Sequence, residues 1–112
     1  MEDCLFCKII SGEIPSKKLY EYYKILSFYD IAPIAPVHFL VIPKEHIQSV
    51  DQINAENSQT VAYSLEKIGQ LAAQAGITGG YRVISNCGAD AGQSVPHLHF
   101  HVIGGKELSW QA

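Results

Sequence analysis

Near its C-terminal end the chain carries the stretch His97-Leu98-His99-Phe100-His101-Val102-Ile103, in which histidine and apolar residues alternate. Successive side chains of a β-strand point to opposite faces of the sheet, so this period-two pattern predicts a strand, which we place at residues 95–103. The apolar residues then face the core, and the three histidines share the other face. Three imidazoles on one side of a single strand indicate a functional site.

Two kinds of site fit such a cluster. Three histidines suit a catalytic zinc ion, whereas one nucleophilic imidazole whose neighbours hold an anionic substrate suits phosphoryl transfer. The preceding loop, residues 86–94, is rich in glycine and other small residues, so its backbone N–H groups can approach a phosphate closely. Its position directly before the histidines favours a phosphorylated ligand. A solvated, histidine-rich strand face is the third alternative.

The other segments predict an α+β fold. They comprise a short helix at residues 4–10, capped by Asp3 and closed by Gly12, strands at residues 18–22, 25–29, 37–42 and 81–85, and a long helix within residues 55–75 that ends at Gly76. Residues 37–42 are almost all apolar, which indicates a buried central strand. Apolar residues of the long helix recur at spacings of three and four, at Val61, Leu65, Ile68, Ala72 and Ala75. We therefore expect a five-stranded antiparallel sheet with one long helix packed on it.

Composition limits the class of protein. A length of 112 residues suits a single domain, residues 1–112. A formal net charge of −3 provides no cationic field, so we expect neither nucleic acid nor a membrane as partner. The chain begins with the acidic sequence Met1-Glu2-Asp3, unlike a secretory signal, and three cysteines do not suggest a disulfide scaffold. We expect a cytoplasmic protein.

Cys4 and Cys7 form a Cys-x-x-Cys pair on one face of the predicted N-terminal helix. Such a pair can be a redox centre, half of a metal site, or simply buried. The redox motif normally follows a strand in a thioredoxin-like arrangement, which the predicted elements do not provide. A zinc site would need two further ligands. Cys87 stands apart and has no evident partner.

Taken together, these features resemble the histidine-triad (HIT) family, in its Hint branch of nucleoside phosphoramidases. The alternating histidine stretch resembles the family signature, and further matches lie at residues 30–31, 35–44, 92–94 and 104–110. The resemblance therefore spans nearly the whole chain. It implies a HIT-like fold that forms a homodimer with a continuous sheet, through the helix within residues 55–75 and the strand at 81–85. The tail at residues 106–110 resembles a segment that reaches towards the partner's active site.

The same resemblance implies an enzyme that cleaves purine nucleoside 5′-phosphoramidates, with aminoacyl adenylates as further substrates, through a nucleotidyl-histidine. His99 corresponds to the nucleophile and His101 to a contact of the phosphoryl oxygens. Ser94 resembles a serine near the leaving group. His38 corresponds to a supporting member of the cluster, to which His97 also belongs.

The resemblance also assigns substrate and metal contacts. Asp30 corresponds to a ligand of the ribose hydroxyls. The other nucleotide contacts expected besides Ser94, His99 and His101 are Leu5, Phe6, Phe28, Ile31, Asn86, Gly92 and Gln93. In some relatives a structural zinc ion is held at the positions of Cys4, Cys7, His46 and His97, whereas others lack the cysteines. We expect no organic cofactor. The alternatives are a dinucleoside polyphosphate hydrolase of the same superfamily and a non-catalytic nucleotide- or zinc-binding dimeric scaffold.

Overall fold

The computed structural model describes residues 3–110; the first two residues, part of the acidic start noted above, lie outside it. This part of the chain forms two α-helices and five strands, with 3₁₀ turns at Val50–Gln52 and Ala89–Ala91. The elements are α1 Leu5–Ile10, β1 Lys18–Glu21, β2 Ile25–Tyr29, β3 Val37–Pro43, α2 Ser58–Gln74, β4 Tyr81–Ile84 and β5 Phe100–Gly104. Neither helix has the length and apolar character that crossing a bilayer requires.

The strands of this part form an antiparallel sheet in the order β1-β2-β3-β5-β4. β3 lies in the middle, between β2 and β5, and every residue of it after the first is buried. The nearly continuous apolar run of this segment is explained by burial on both faces of the sheet. The predicted antiparallel sheet with one long and one short helix is thus confirmed.

The two helices contribute to the cores on opposite faces of the sheet. On one face, Phe39 of β3 and Val102 of β5 share a core with Leu71 of α2. On the other face, Leu40 of β3 packs in a second core that includes Phe6 of α1. Alternate residues of one strand therefore serve two different cores.

The buried stripe of α2 differs from the predicted one at one position. Val61 and Ile68 are buried as expected, but Leu65 is 48% exposed and Leu71 is fully buried. At 100° per residue, Leu71 lies beside the buried Ser64 on the same arc of the helix, whereas Leu65 lies at the edge of that arc. The prediction that Leu65 belongs to the core is wrong.

The helix ends follow the expected chemistry with one exception. Gly12 and Gly76 both have positive φ, 84° and 85°, and follow the ends of α1 and α2 as predicted. The prediction that Asp3 caps α1 is wrong. The cap is Cys4, whose Sγ accepts the backbone N–H of Cys7 at 3.3 Å. The cap therefore comes from one of the two cysteines.

The histidine stretch departs furthest from expectation, because β5 begins only at Phe100. Pro96 has no N–H group to donate to a strand ladder. The N–H of Leu98 donates instead to the carbonyl of Ile47, at 2.6 Å, outside the sheet ladder. The prediction of a strand over residues 95–103 is therefore wrong for its first five residues.

Candidate functional site

The side chains of the histidine stretch still divide between the two faces as predicted. Its apolar members Leu98, Phe100 and Val102 lie in the core that includes α2. The histidines lie on the α1 side, where the ring centroid of Phe6 is 5.9 Å from that of His97 and 5.0 Å from that of His99. The ring of His101 lies 5.1 Å from that of His99. The alternation thus places all three imidazoles together.

The tautomer of His99 follows from a single hydrogen bond. Nδ1 of His99 lies 2.6 Å from the backbone carbonyl oxygen of His97. A carbonyl oxygen only accepts, so Nδ1 carries the proton and donates it. Nε2 of the neutral ring then carries the free lone pair. His99 is buried apart from 5% of its surface, but it lines a cleft.

His38 and His101 form a chain of hydrogen bonds with a fixed direction. The backbone N–H of Ile34 donates to Nδ1 of His38 at 3.2 Å, which leaves the proton of a neutral ring on Nε2. That Nε2 donates to Nδ1 of His101 at 2.9 Å. His101 therefore keeps its own proton on Nε2. The carboxylate of Asp30 stands beside the chain, 3.4 Å from Nε2 of His38.

Burial keeps both rings of this chain neutral. It lowers the pKa of His101 to about 4, with smaller contributions in the same direction from His99 and His38. Burial also lowers the pKa of His38, and Asp30 opposes this shift. Near pH 7 the chain therefore offers a neutral N–H donor at Nε2 of His101.

An open cleft of about 260 Å³ lies in front of His99 and His101. Its walls include eight of the expected nucleotide contacts, Leu5, Phe6, Phe28, Asp30, Ile31, Ser94, His99 and His101. The rings of Phe6 and Phe28 meet edge to face, with centroids 5.6 Å apart, and Ile31 is fully exposed. The cleft thus joins an apolar end to a polar end built from Asp30 and the histidines.

Three expected contacts do not line this cleft: Asn86, Gly92 and Gln93. The side chain of Gln93 instead braces the loop. Its Oε1 accepts the N–H of Gly88 at 2.8 Å, and its Nε2 donates to the carbonyls of Gln48 at 2.7 Å and Val95 at 3.0 Å. Positive φ values at Gly88 and Gly92, 85° and 82°, give the loop its shape.

Four residues of the cleft were missed by the sequence interpretation: Ile9, Tyr29, Leu40 and Val95. Ile9 follows Leu5 by four residues on α1, so helical spacing could have identified it. Tyr29 directly precedes Asp30, and Val95 directly follows Ser94. Leu40 pairs with Phe28 and His101 across the sheet, and only the strand register reveals this.

The two cysteines meet His46 and His97 behind the cleft. Sγ of Cys4 lies 3.3 Å from Nδ1 of His97, and Sγ of Cys7 lies 3.3 Å from Nδ1 of His46 and 3.6 Å from that of His97. All four ligand atoms lie within 4.8 Å of one another. Nε2 of His97 donates to the Pro43 carbonyl at 2.8 Å, so Nδ1 directs its lone pair at the sulfurs.

This donor set fits a zinc ion. Tetrahedral zinc with two sulfur and two nitrogen ligands requires sulfur–nitrogen separations of about 3.6 Å, close to those observed. Burial, and to a smaller extent the neighbouring Cys4, raises the pKa of Cys7 to about 11. The thiol therefore needs a bound cation to ionise near pH 7. Burial lowers the pKa of His97 to about 4, which keeps its ring neutral.

Asp30, His38 and His101 also lie close enough together to suggest a metal site. The direction of their hydrogen bonds excludes it. Nδ1 of His38 accepts the N–H of Ile34, so Nε2 carries a proton and has no lone pair for a metal. This group is a hydrogen-bond chain.

Comparison with known proteins assigns the family. A model of the HIT domain matches residues 11–108. An uncharacterized HIT-like protein of Synechococcus elongatus is 46% identical over 109 residues, 97% of this chain and 96% of its own. A HIT family hydrolase from Clostridium thermocellum is 46% identical with a TM-score of 0.95, over 99% of this chain and 97% of its own. A histidine triad protein from Clostridium difficile is 44% identical with a TM-score of 0.94, over 100% and 98% of the two chains. The chain therefore belongs to the HIT domain family.

Proposed function

We propose that this protein hydrolyses purine nucleoside 5′-phosphoramidates through a covalent intermediate on His99. The observation that carries the proposal is the bond from Nδ1 of His99 to the His97 carbonyl, at 2.6 Å, which leaves Nε2 as a free nucleophile in the cleft. Neutral imidazole is a nucleophile near pH 7 and also a good leaving group from phosphorus. The similar protein from Clostridium thermocellum is described as a hydrolase, which agrees with this chemistry.

The reaction proceeds in two displacements at phosphorus. In the first, the lone pair of His99 Nε2 forms a bond to the α-phosphorus and the P–N bond breaks. The amine leaves with that electron pair and takes a proton from solvent. In the second, water attacks phosphorus, the P–Nε2 bond breaks in favour of His99, and the water proton returns to solvent. The products are a free amine and a nucleoside monophosphate.

The neighbouring groups stabilise the charge that develops on the phosphoryl oxygens. Nε2–H of His101 is a neutral donor held in place by His38, and Ser94 adds a hydroxyl to the same cleft. Nδ1–H of His99 remains bound to the carbonyl of His97, so the ring keeps its orientation as it becomes cationic. These donors are in place before the reaction, so they need not reorganise during it.

The nucleoside extends from the polar end of the cleft, where Asp30 lies beside the histidines, to its apolar end. Asp30 lines the cleft, and its carboxylate is an acceptor suited to the two ribose hydroxyls. Oδ1 also accepts the N–H of Ala32 at 2.8 Å, which fixes the orientation of the carboxylate. Phe6, Phe28 and Ile31 provide apolar surface for a purine base. A purine buries more apolar surface in such a site than a pyrimidine does, so the site favours purines. With few polar groups to contact the base edges, it discriminates weakly between adenine and guanine.

Steady-state hydrolysis of adenosine 5′-phosphoramidate tests this proposal. The substitution His99→Asn keeps a side-chain N–H that can bond the His97 carbonyl but removes the nucleophile, so we expect turnover to fall by about a thousandfold or more. Binding of AMP should persist, and Cys87→Ser serves as a control outside the cleft. Full activity of His99→Asn would refute the assignment.

Two substrates separate the alternatives. Diadenosine tetraphosphate cleaved in preference to the phosphoramidate would support the dinucleoside polyphosphate hydrolase. Nucleotide binding without turnover of either compound would support the non-catalytic scaffold.

We also propose that Cys4, Cys7, His46 and His97 hold a structural zinc ion. Four protein ligands leave no open position for water, so the ion when bound supplies structural stability by joining α1 to the segment that carries His97. His97 in turn provides the carbonyl that orients His99. The ion would therefore support the site without taking part in the chemistry.

Metal analysis of protein purified without chelator checks the zinc site. We expect about one zinc per chain in the wild type and in Cys87→Ser, and none in Cys7→Ser, together with a lower midpoint of thermal unfolding. Wild-type protein that contains no zinc and has free thiols at Cys4 and Cys7 would contradict the site.

We further propose a homodimer in the cytoplasm, where reducing conditions keep the cysteines as thiols. Three exposed apolar residues support the dimer: Leu65 on α2, and Tyr81 and Val83 on the outer strand β4. Tyr81 lies over α2, since its hydroxyl is 3.9 Å from a Cβ built on Gly69. Pairing along β4 would cover this patch and the open strand edge. Light scattering of Val83→Lys, compared with wild type, should show a monomer; a wild type that is itself monomeric would contradict the dimer.

A further inference from the structure

Cys4 and Cys7 occupy positions of α1 from which their sulfurs can reach each other. Cys4 is the N-cap: its carbonyl accepts the N–H of Lys8 at 3.1 Å, and its Sγ accepts the N–H of Cys7 at 3.3 Å. Helix geometry gives residues three apart a Cα separation of about 5 Å, within the range that a disulfide spans. The two sulfurs already lie within 4.8 Å of one another. A disulfide between them therefore requires little movement of the backbone.

The pair is reduced in this structure, and its two members differ in exposure. Cys7 is half-buried, whereas Cys4 is only 4% exposed. A small oxidant can therefore reach Cys7, and Cys4 is the shielded partner beside it. An accessible cysteine next to a resolving one is typical of redox-sensitive thiols. Within residues 3–110 no strand precedes α1, so the pair is suited to being oxidised itself rather than to catalysing disulfide exchange in other proteins.

The residues between the two cysteines belong to the cleft in front of His99. Leu5 and Phe6 both line this cleft, and the ring of Phe6 lies edge to face with that of His99, 5.0 Å between centroids. Behind the cleft, Sγ of Cys4 lies 3.3 Å from Nδ1 of His97. A chemical change at the sulfurs therefore acts on the apolar wall of the cleft from within the same helical turn.

We propose that Cys4 and Cys7 form a redox-sensitive site, in which hydrogen peroxide closes a disulfide that weakens nucleotide binding. Disulfide formation rests on the geometry of the pair alone, whereas its effect on binding rests on the proposed function. Under reducing conditions the pair stays open, so the nucleotide site is at full strength until an oxidant appears.

The oxidation consumes two electrons from sulfur and one molecule of peroxide. The lone pair of one thiolate attacks a peroxide oxygen, the O–O bond breaks, and hydroxide leaves a sulfenic acid behind. The second thiolate then attacks the sulfenic sulfur, the S–O bond breaks, and a second hydroxide leaves. Both hydroxides take protons from solvent and become water. A thiol reductant reverses the reaction by thiol–disulfide exchange.

Disulfide closure also removes both sulfur ligands of the proposed zinc site. Zinc, when bound, keeps the two sulfurs as thiolates, the form that reacts with peroxide. After oxidation only His46 and His97 remain as ligands, too few for a structural site. Helix α1 then loses its link to both histidines, and Phe6 is held less firmly against the cleft. We therefore expect weaker nucleotide binding in the oxidised protein.

The test treats the reduced protein with hydrogen peroxide, removes the excess with catalase, and alkylates the remaining thiols after denaturation. We expect two of the three cysteines to resist alkylation. The tryptic peptide of residues 1–8, which contains both, should lose the mass of two hydrogen atoms. Dithiothreitol should restore it. The matched control Cys87→Ser should form the same disulfide, and Cys7→Ser should form none.

Two further measurements follow the consequences of oxidation. Zinc release, monitored with a chromogenic chelator, should keep pace with disulfide formation. The dissociation constant for AMP should rise several-fold on oxidation of the wild type and of Cys87→Ser, and return with dithiothreitol. The AMP affinity of Cys7→Ser should not respond to peroxide, which excludes oxidation elsewhere as the cause.

Each part of the proposal has its own contradictory result. Three alkylated cysteines after peroxide, or a peptide that gains oxygen without forming a disulfide, would overturn the redox site and leave the phosphoramidase intact. This readout uses the wild type alone, so it decides the matter even if Cys7→Ser does not fold or the protein carries no zinc. A disulfide with an unchanged dissociation constant would overturn its effect on the cleft. Reduced protein that binds no AMP would overturn the proposed function instead.

Discussion

Replacing His101 with asparagine should change how the stability of the protein depends on pH. In the folded protein the pKa of His101 is lowered from 6.5 to about 4, mainly by burial. Between these values the unfolded chain binds a proton that the folded protein excludes, so stability is present in full above pH 6.5 and falls as the pH drops towards 4. A shift of this size corresponds to about 3 kcal/mol at its limit.

Asparagine is a suitable replacement because its Oδ1 can accept the hydrogen bond that His38 donates at 2.9 Å, but it does not titrate. The side chain of His101 is 21% exposed, so solvent reduces the effect and we expect about 2 kcal/mol. Urea unfolding of both proteins should be followed at intervals from pH 7 to 4.5. Over this pH range, the unfolding free energy of wild type should decrease by about 2 kcal/mol more than the unfolding free energy of His101→Asn. Contributions from groups that do not interact with His101, including any metal, are common to both proteins and cancel in the difference.

The reasoning fails if the difference in unfolding free energy between the two proteins stays constant over this range. A constant difference would mean that His101 has nearly the same pKa in the folded and unfolded states. The neutral donor that we assign to it would then be absent at moderately acidic pH.

Two further substitutions probe the loops that hold the site. Gly105→Ala should destabilise the protein by about 2 kcal/mol in thermal or urea unfolding, because φ is +93° there and the new Cβ would lie 3.0 Å from Cβ of Pro36. Gly79→Ala should leave the free energy of unfolding nearly unchanged, because no atom lies within 4 Å of the new Cβ. Equal destabilisation by the two substitutions would contradict this reasoning. Gln93→Met leaves the N–H of Gly88 without its partner and loosens the loop beside the cleft. We therefore expect KM for adenosine 5′-phosphoramidate to rise several-fold. Gln48→Met is its control, since only the backbone of Gln48 takes part, and an unchanged KM in Gln93→Met would argue against the brace.

The sequence was most informative where side-chain period alone decides the structure. Alternation in the histidine stretch predicted which residues face each side of the sheet, and it did so even at His97 and His99, which lie outside β5. The apolar run of β3 predicted a strand buried on both faces, and Gly12 and Gly76 correctly marked helix ends. These features depend on neighbours within a few residues.

Features that depend on distant partners were not accessible in the same way. The late start of β5 follows from a bond between Leu98 and Ile47, and the role of Gln93 follows from contacts with Gln48 and Gly88. Each needs the tertiary fold before it can be seen. The exposure of Leu65 has the same origin, because the part of α2 that faces the sheet decides it.

Trapping the intermediate tests the central claim most directly. Protein mixed with adenosine 5′-phosphoramidate, quenched in base and digested should yield a peptide carrying AMP on His99, and the same peptide from His99→Asn should carry none. Turnover with no trapped adduct, or an adduct on another residue, would contradict the assignment of His99 as the nucleophile.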